Sequence, residues 1–233
     1  MATPKRHHYV QRAYLNGFAK NNKVYVLQKR TKTILKNQDT KNVCVIGNHN
    51  SITLENLLAD NIEKDWEKHL SDIIENKISS DTFSYMAYYS AIQYLRTYFF
   101  YLIREVLPPH FPGFKIELPR QSNLPEVMIR TYIDYFYDLL QAQKISICVA
   151  QGTQEFITSD SPFTFICSEK YLAYFPLTNK ILWCVHNDIR EDKNISYTPC
   201  YSSQVFNYLI YHASFDVVIS KNFTVLESLK GVP

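Results

Sequence analysis

Apolar residues recur every three or four positions through Leu54, Leu57, Leu58, Ile62, Trp66, Leu70, Ile73, Ile74 and Ile78. That spacing places them on one side of a helix, so an amphipathic helix is predicted from Leu54 to Lys77. A second helix is predicted from the cap-forming pair Ser80-Asp81 to about Val106, where Pro108 and Pro109 remove amide donors and end it. The stretch up to Pro125, which also holds Pro112 and Pro119, reads as a connector, and helix resumes from Leu124 to Ala142. After Lys144 the pattern shortens to β-type runs at Ile145–Ala150, Glu155–Thr158, Phe163–Cys167, Tyr171–Phe175 and Ile181–Val185, separated by Asx, Ser and Pro. Val205–Ala213 fits one late helix and Phe215–Ser220 a last strand. Ahead of all this, Val24–Leu27 and Lys32–Lys36 flank a turn near Arg30-Thr31 and predict a hairpin.

Strands and helices do not alternate regularly, so the pattern predicts an α+β fold and not a doubly wound sheet. The expected order is an N-terminal β-hairpin, central long helices, and a C-terminal, mainly antiparallel sheet. Residues 1–233 read as one α+β domain with a basic hairpin segment (1–50), a helical part (51–143) and a β-rich part (144–233).

Composition narrows the chemistry. The five glycines among 233 residues stand far apart, so no P-loop, dinucleotide fingerprint or nucleophile elbow can be built from them. Five cysteines (Cys44, Cys148, Cys167, Cys184, Cys200) form no Cys-x-x-Cys pair and read as reduced thiols, mostly in the core. The first ten residues carry no apolar leader, and the longest apolar run, Tyr98–Ile103, is far shorter than the roughly 18–20 residues of a membrane span. A cytoplasmic protein with no membrane partner is the expectation. The net charge of +3 conceals an asymmetry: nine Lys and Arg residues precede the first acid, Asp39. A concentrated positive potential of this kind suits nucleic acid or another polyanion, although a solvated basic face reads the same way.

Three strings could carry chemistry. Lys5-Arg6-His7-His8-Tyr9 sets two imidazoles among cations, whose charge keeps the rings neutral and able to accept a proton near pH 7; Tyr9 and Arg12 extend the string as anion-binding candidates. On the second predicted helix, Gln93 and Arg104 differ by only about 20° after eleven residues and Arg96 lies within about 60° of Gln93, a row of amide and guanidinium groups suited to phosphate. Arg96 could equally pair with Glu63 or Glu67. The string Thr158-Ser159-Asp160-Ser161-Pro162 forms a tight turn in which Thr158 and Ser159 offer hydroxyls to a phosphate and Asp160 can orient a histidine or help bind a divalent cation. Cys184 and His186, two apart in a predicted strand, face one side and read as a buried, satisfied pair before they read as half of a metal site.

These strings occur in a fixed order. His7-His8-Tyr9-Val10, Tyr14-Leu15, Phe18-Ala19, the Val24–Leu27 strand, Gln93-x-x-Arg96-Thr97, Thr158-Ser159-Asp160-Ser161-Pro162 and Phe175-Pro176-Leu177 resemble the DUF4238 family, a domain of unknown function. Its members open with His-His-Tyr-Val-Pro and later carry a Thr-Ser-Asp-Asn-Pro-like turn; here Gln11 stands for the proline and Ser161 for the asparagine. The resemblance implies one fold in which His8, Arg96 and Asp160 converge. The leading expectation is a phosphodiester hydrolase of nuclease type. In it His7 or His8 handles the proton, Arg96 and Arg104 hold phosphate charge, and Asp160 orients the histidine or a divalent cation. The alternative is a non-catalytic module that binds nucleic acid or protein, with a role in conflict between a phage and its host as the guess from family context.

Overall fold

A computed structural model of the chain describes residues 6–47, 58, 62–102, 124–166, 168–189 and 195–232, without the side chains of residues 6, 47, 98–102 and 124–128. In chain order, β1 (Arg6–His8) and α1 (Arg12–Asn16) precede the hairpin of β2 (Lys23–Gln28) and β3 (Thr33–Asp39). A 3-10 turn (Thr40–Asn42) leads to β4 (Val45–Gly47). The helical part holds α2 (Trp66–Ile74), α3 (Ser80–Leu102) and α4 (Leu124–Ala142). Then come β5 (Gln143–Ala150), β6 (Thr158–Ser159), β7 (Thr164–Phe165), β8 (Tyr171–Pro176), β9 (Ile181–Ile189) and β10 (Ser196–Cys200). α5 (Gln204–Ala213), β11 (Val217–Ser220) and α6 (Phe223–Leu229) complete the order.

The fold is α+β as expected, with a mainly antiparallel C-terminal sheet followed by a late helix, α5. Among the described residues three sheets form: β1-β4, the five-stranded β10-β5-β9-β8-β7, and the four-stranded β3-β2-β11-β6. The predicted hairpin thus shares its sheet with β11, in the antiparallel register Tyr25↔Ser220 to Gln28↔Val217. The exception to antiparallel order is β10, which runs parallel to β5. It is a largely exposed edge strand containing Pro199, the position in a sheet where a missing amide donor costs no ladder bond. β8 and the first half of β9 are buried at nearly every position, as strands covered on both faces must be.

Several boundaries move for local reasons. α2 ends at Ile74 because Asn76 takes a left-handed φ of 56° while its amide donates to the Ile73 carbonyl at 3.2 Å, the geometry that closes a helix C-terminus. The start predicted for this helix, at Leu54, falls outside the described residues, and so do the end of α3 near Val106 and the proline-rich connector as far as residue 123; Pro125 lies in the first turn of α4. α3 is capped by Ser79, whose hydroxyl accepts the Thr82 amide at 3.1 Å, one residue ahead of the predicted pair Ser80-Asp81. The run Glu155–Thr158 becomes strand only at Thr158–Ser159, because the Phe156 and Ile157 amides donate to the Asn179 carbonyl and the Asn207 side chain, at 2.8 and 3.0 Å, instead of to a ladder.

The core is aromatic. Tyr14 of α1, Trp66 of α2 and Phe175 of β8 are each at most 1% exposed, and Tyr14 stacks on Phe175 at 5.4 Å and meets Trp66 edge-on at 5.7 Å. Trp66 in turn stacks on Tyr89 of α3 at 4.5 Å. The Tyr14 phenol donates to the Pro176 carbonyl at 2.6 Å, so at the 2.6 Å contact with Thr158 it is the threonine hydroxyl that donates. Next to this contact Gly17 lets the backbones touch: a Cβ there would lie 3.0 Å from the Leu177 carbonyl oxygen, and the Gly17 carbonyl accepts the Asn179 amide at 3.2 Å. Tyr14→Phe keeps the rings packed but strands the Pro176 carbonyl in the core. The expected loss is about 1–3 kcal/mol, read as a lower urea midpoint with an unchanged m-value.

Candidate functional site

Two groups of polar residues meet around the N-terminal segment. The first is built by α3. Its Gln93 amide donates to the Tyr9 carbonyl at 3.0 Å, and Arg96 donates to the His8 carbonyl through Nη2 and to Glu63 Oε1 through Nη1 at 2.8 Å. Of the two acids within sequence reach, Arg96 has therefore taken Glu63. One turn earlier on the helix, the Tyr89 hydroxyl donates to Gln11, whose own amide donates to the Glu63 carbonyl at 3.3 Å. Residues 89, 93 and 96 share a helical face because of their three- and four-residue spacing, and that face grips the backbone of residues 8–11.

His7 is buried, while His8 is half-buried with its Nε2 3.3 Å from the Thr40 carbonyl oxygen. Burial above all, and the charges of Arg96 and Arg12, push the His8 pKa down against the opposing pull of the Thr40 carbonyl and Glu63. The imidazole is accordingly neutral near pH 7. Arg12 stands exposed on α1.

The second group is the Thr158–Asp160 corner. All three residues are fully buried. Thr158 serves Tyr14, and the Ser159 hydroxyl accepts the Ser161 amide at 3.1 Å. Asp160 Oδ1 accepts the amide of Phe215 at 3.0 Å, and Oδ2 accepts those of Asp216 and Val217 at 2.7 and 3.0 Å. This is an anion held by consecutive backbone amides, and here the anion is the protein's own carboxylate. The two groups communicate at Cys44: burial first and then the Asp160 charge push its thiol pKa up, while a hydrogen bond from Tyr9 opposes them. His8, Tyr9, Gln93 and Arg96 thus come together, and Thr158, Ser159 and Asp160 form an adjoining corner whose polar atoms serve the backbone and Tyr14. Arg104 lies outside the described residues. Among the described residues, no group of three or more His, Cys, Asp or Glu side chains is placed to hold a metal ion.

The 3-10 turn adds residues that the sequence did not single out. The Thr40 hydroxyl donates to Asn16 at 2.9 Å and its amide to the Asn22 carbonyl at 3.1 Å, drawing α1, the β2 approach and His8 together. Around it stand the exposed cations Arg12, Lys20, Lys23 and Lys41, with Asp39 between Lys23 at 3.2 Å and Lys41 at 3.8 Å. The signal available in the sequence was Asp39 itself, a residue type whose carboxylate caps a turn, here by accepting the Lys41 amide at 3.0 Å. Two other cations of the basic segment are occupied: Lys29 donates to the carbonyls of Tyr211 and Ser214 at 2.8 and 2.6 Å, and Lys32 to the Val232 carbonyl at 2.8 Å.

Two outcomes follow. Asp160→Asn sets an NH2 group against at least one of three backbone donors and is expected to lower stability by about 2–3 kcal/mol in a denaturant titration. For His8, the folded pKa lies below the unfolded value of about 6.5, so between the two the unfolded chain binds more protons. Its contribution is complete above about pH 6.5 and is lost as pH falls through the folded value. NMR titration of the imidazole should give a midpoint below 6.5, and denaturation midpoints of wild type and His8→Gln should converge as the pH is lowered through that range.

Neither a curated protein nor a solved structure matches the chain. The family model described as "Protein of unknown function (DUF4238)" matches residues 6–223, a span that takes in the His8–Arg96 cluster, the Asp160 corner and the cations around Thr40. The chain belongs to the DUF4238 family.

Proposed function

We propose that this chain binds a phosphate-bearing polyanion, nucleic acid foremost, through the basic surface around Thr40. One observation carries the reading: Arg12, Lys20, Lys23 and Lys41 are exposed about the Thr40 turn, which also holds half-buried, neutral His8, and Asp39, shared between Lys23 and Lys41, is the one acid among the first 54 residues. The catalytic arrangement expected from sequence is less well supported. Asp160 spends both carboxylate oxygens on backbone amides, and Arg96 spends two of its nitrogens on Glu63 and the His8 carbonyl. These are the contacts of groups that shape a site. A phosphodiester hydrolase remains the second reading on one specific ground: His8 is an unprotonated base at neutral pH with the Arg12 and Arg96 cations acting on it, as proton abstraction beside a phosphate requires.

Fluorescence anisotropy with a labelled single-stranded oligonucleotide tests the first reading. Log affinity should fall linearly with log salt, by roughly 0.7 per phosphate neutralised. Arg12→Ala and Lys41→Ala should each weaken binding alike for all sequences and reduce the slope by about one phosphate's share. Absent or salt-independent binding removes the proposal. The same oligonucleotide in molar excess decides between the readings: fragments produced over many turnovers by the wild type and not by His8→Ala establish the hydrolase, and an intact strand leaves the binding module.

A further inference from the structure

We propose that Cys148 and Cys184 form a reversible disulfide, making the face of the five-stranded sheet beneath α5 a site of thiol–disulfide exchange. Cys148 lies on β5 and Cys184 on the antiparallel β9; the register pairs Cys148 with Leu182 and Ser146 with Cys184, so the two cysteines are diagonal neighbours on one face. Their sulfurs are 3.5 Å apart and both thiols are free. A disulfide needs about 2.05 Å between sulfurs and Cα atoms within about 7 Å, and diagonal neighbours sit at about 7–8 Å, so closure turns both side chains and draws the paired strands slightly together. Cys200, on β10, is buried with the same cluster, but its thiol is turned to the Ser202 carbonyl at 3.2 Å.

The two sulfurs differ in the way that exchange requires. Cys148 keeps 7% exposure and Cys184 none. The hydrogen bond from Cys184 foremost, with Lys170 assisting, draws the Cys148 thiol below the ordinary range against the effect of burial, and the same contact with burial pushes Cys184 up. Cys148, the less enclosed of the two, therefore makes the attack as its thiolate, and Cys184 resolves the mixed disulfide. The oxidant is a small-molecule disulfide of the glutathione class. The Cys148 thiolate attacks one of its sulfurs and expels a thiolate, leaving a mixed disulfide on Cys148. Cys184 then gives its proton to that thiolate and attacks the Cys148 sulfur, expelling the second small thiol. Two protein thiols lose two electrons and two protons in all, and one small disulfide becomes two thiols.

The full chain equilibrated in oxidised glutathione, quenched, denatured, alkylated and mapped by mass spectrometry reads the outcome. The expected product is a peptide pair joined through Cys148 and Cys184, reopened by reduced glutathione, with Cys200 alkylated. In Cys184→Ser the glutathione adduct on Cys148 should persist, and Cys200→Ser should still form the crosslink. A crosslink to Cys200, or Cys148 and Cys184 both alkylated after the folded wild type has been oxidised, overturns the proposal; the wild-type map needs no variant to fold.

Discussion

The tie between the Tyr14 phenol and the distal sheet holds the two ends of the sequence in one structure. A buried hydroxyl must find a partner or lose on the order of 1–3 kcal/mol. This one finds two, Thr158 and Pro176, lying 144 and 162 residues away. Because the ring is packed between Phe175 and Trp66, the hydroxyl has little freedom to look elsewhere. The five residues of α1 are too few to be stable as an isolated helix. They are helical because Tyr14 and Leu15 are buried by tertiary contacts.

The same demand explains why residues that read as chemistry turn out to hold backbone. Short β1 leaves the carbonyls of His8 and Tyr9 facing α3, and a buried carbonyl without a donor is costly. Gln93 and Arg96 supply the donors. At the other corner, three successive amides after α5 converge, and a carboxylate is the acceptor that can serve all three. Glutamine, arginine and aspartate in these strings are thus accounted for by the interior. The cations around Thr40 stand exposed instead, and Asp39 answers two of them, Lys23 and Lys41.

Legibility in the sequence follows the range of the interaction concerned. The hairpin and the helix Leu124–Ala142 were readable because alternation and three- to four-residue spacing are local consequences of one buried face. The shared face of Gln93 and Arg96 was readable for the same reason, and so was Glu63 as a partner for Arg96. By contrast β10, polar and interrupted by Pro199, has no pattern of its own; it exists because β5 offers an edge. The cap moved from Ser80 to Ser79 because neighbouring serines offer the same chemistry and only the path of the chain distinguishes them. Nothing near Asp160 announces that its acceptors' partners lie 55 to 57 residues downstream. A strand-end Asp in a Ser-Asp-Ser-Pro string looks the same whether its carboxylate serves a substrate or a turn.

α5 relates the two β layers. Its Ile210 and Tyr211 pack with Leu27 and Val218 of the hairpin sheet, while Phe206 and Leu209 pack on the cluster containing Cys148 and Cys184. Its last carbonyls are held by Lys29 of the hairpin loop, a cation set where the helix dipole is negative. Lys29 also feels the Asp160 carboxylate, which raises its pKa against the larger effect of burial. A lysine, a helix end and a buried carboxylate therefore stand together, the one cation facing both negative poles. The basic segment is thus divided along its length: Lys29 and Lys32 at the hairpin loop are spent on carbonyls at the end of α5 and near the C-terminus, while Arg12, Lys20, Lys23 and Lys41 near α1 and the 3-10 turn stand exposed, Lys23 and Lys41 sharing Asp39.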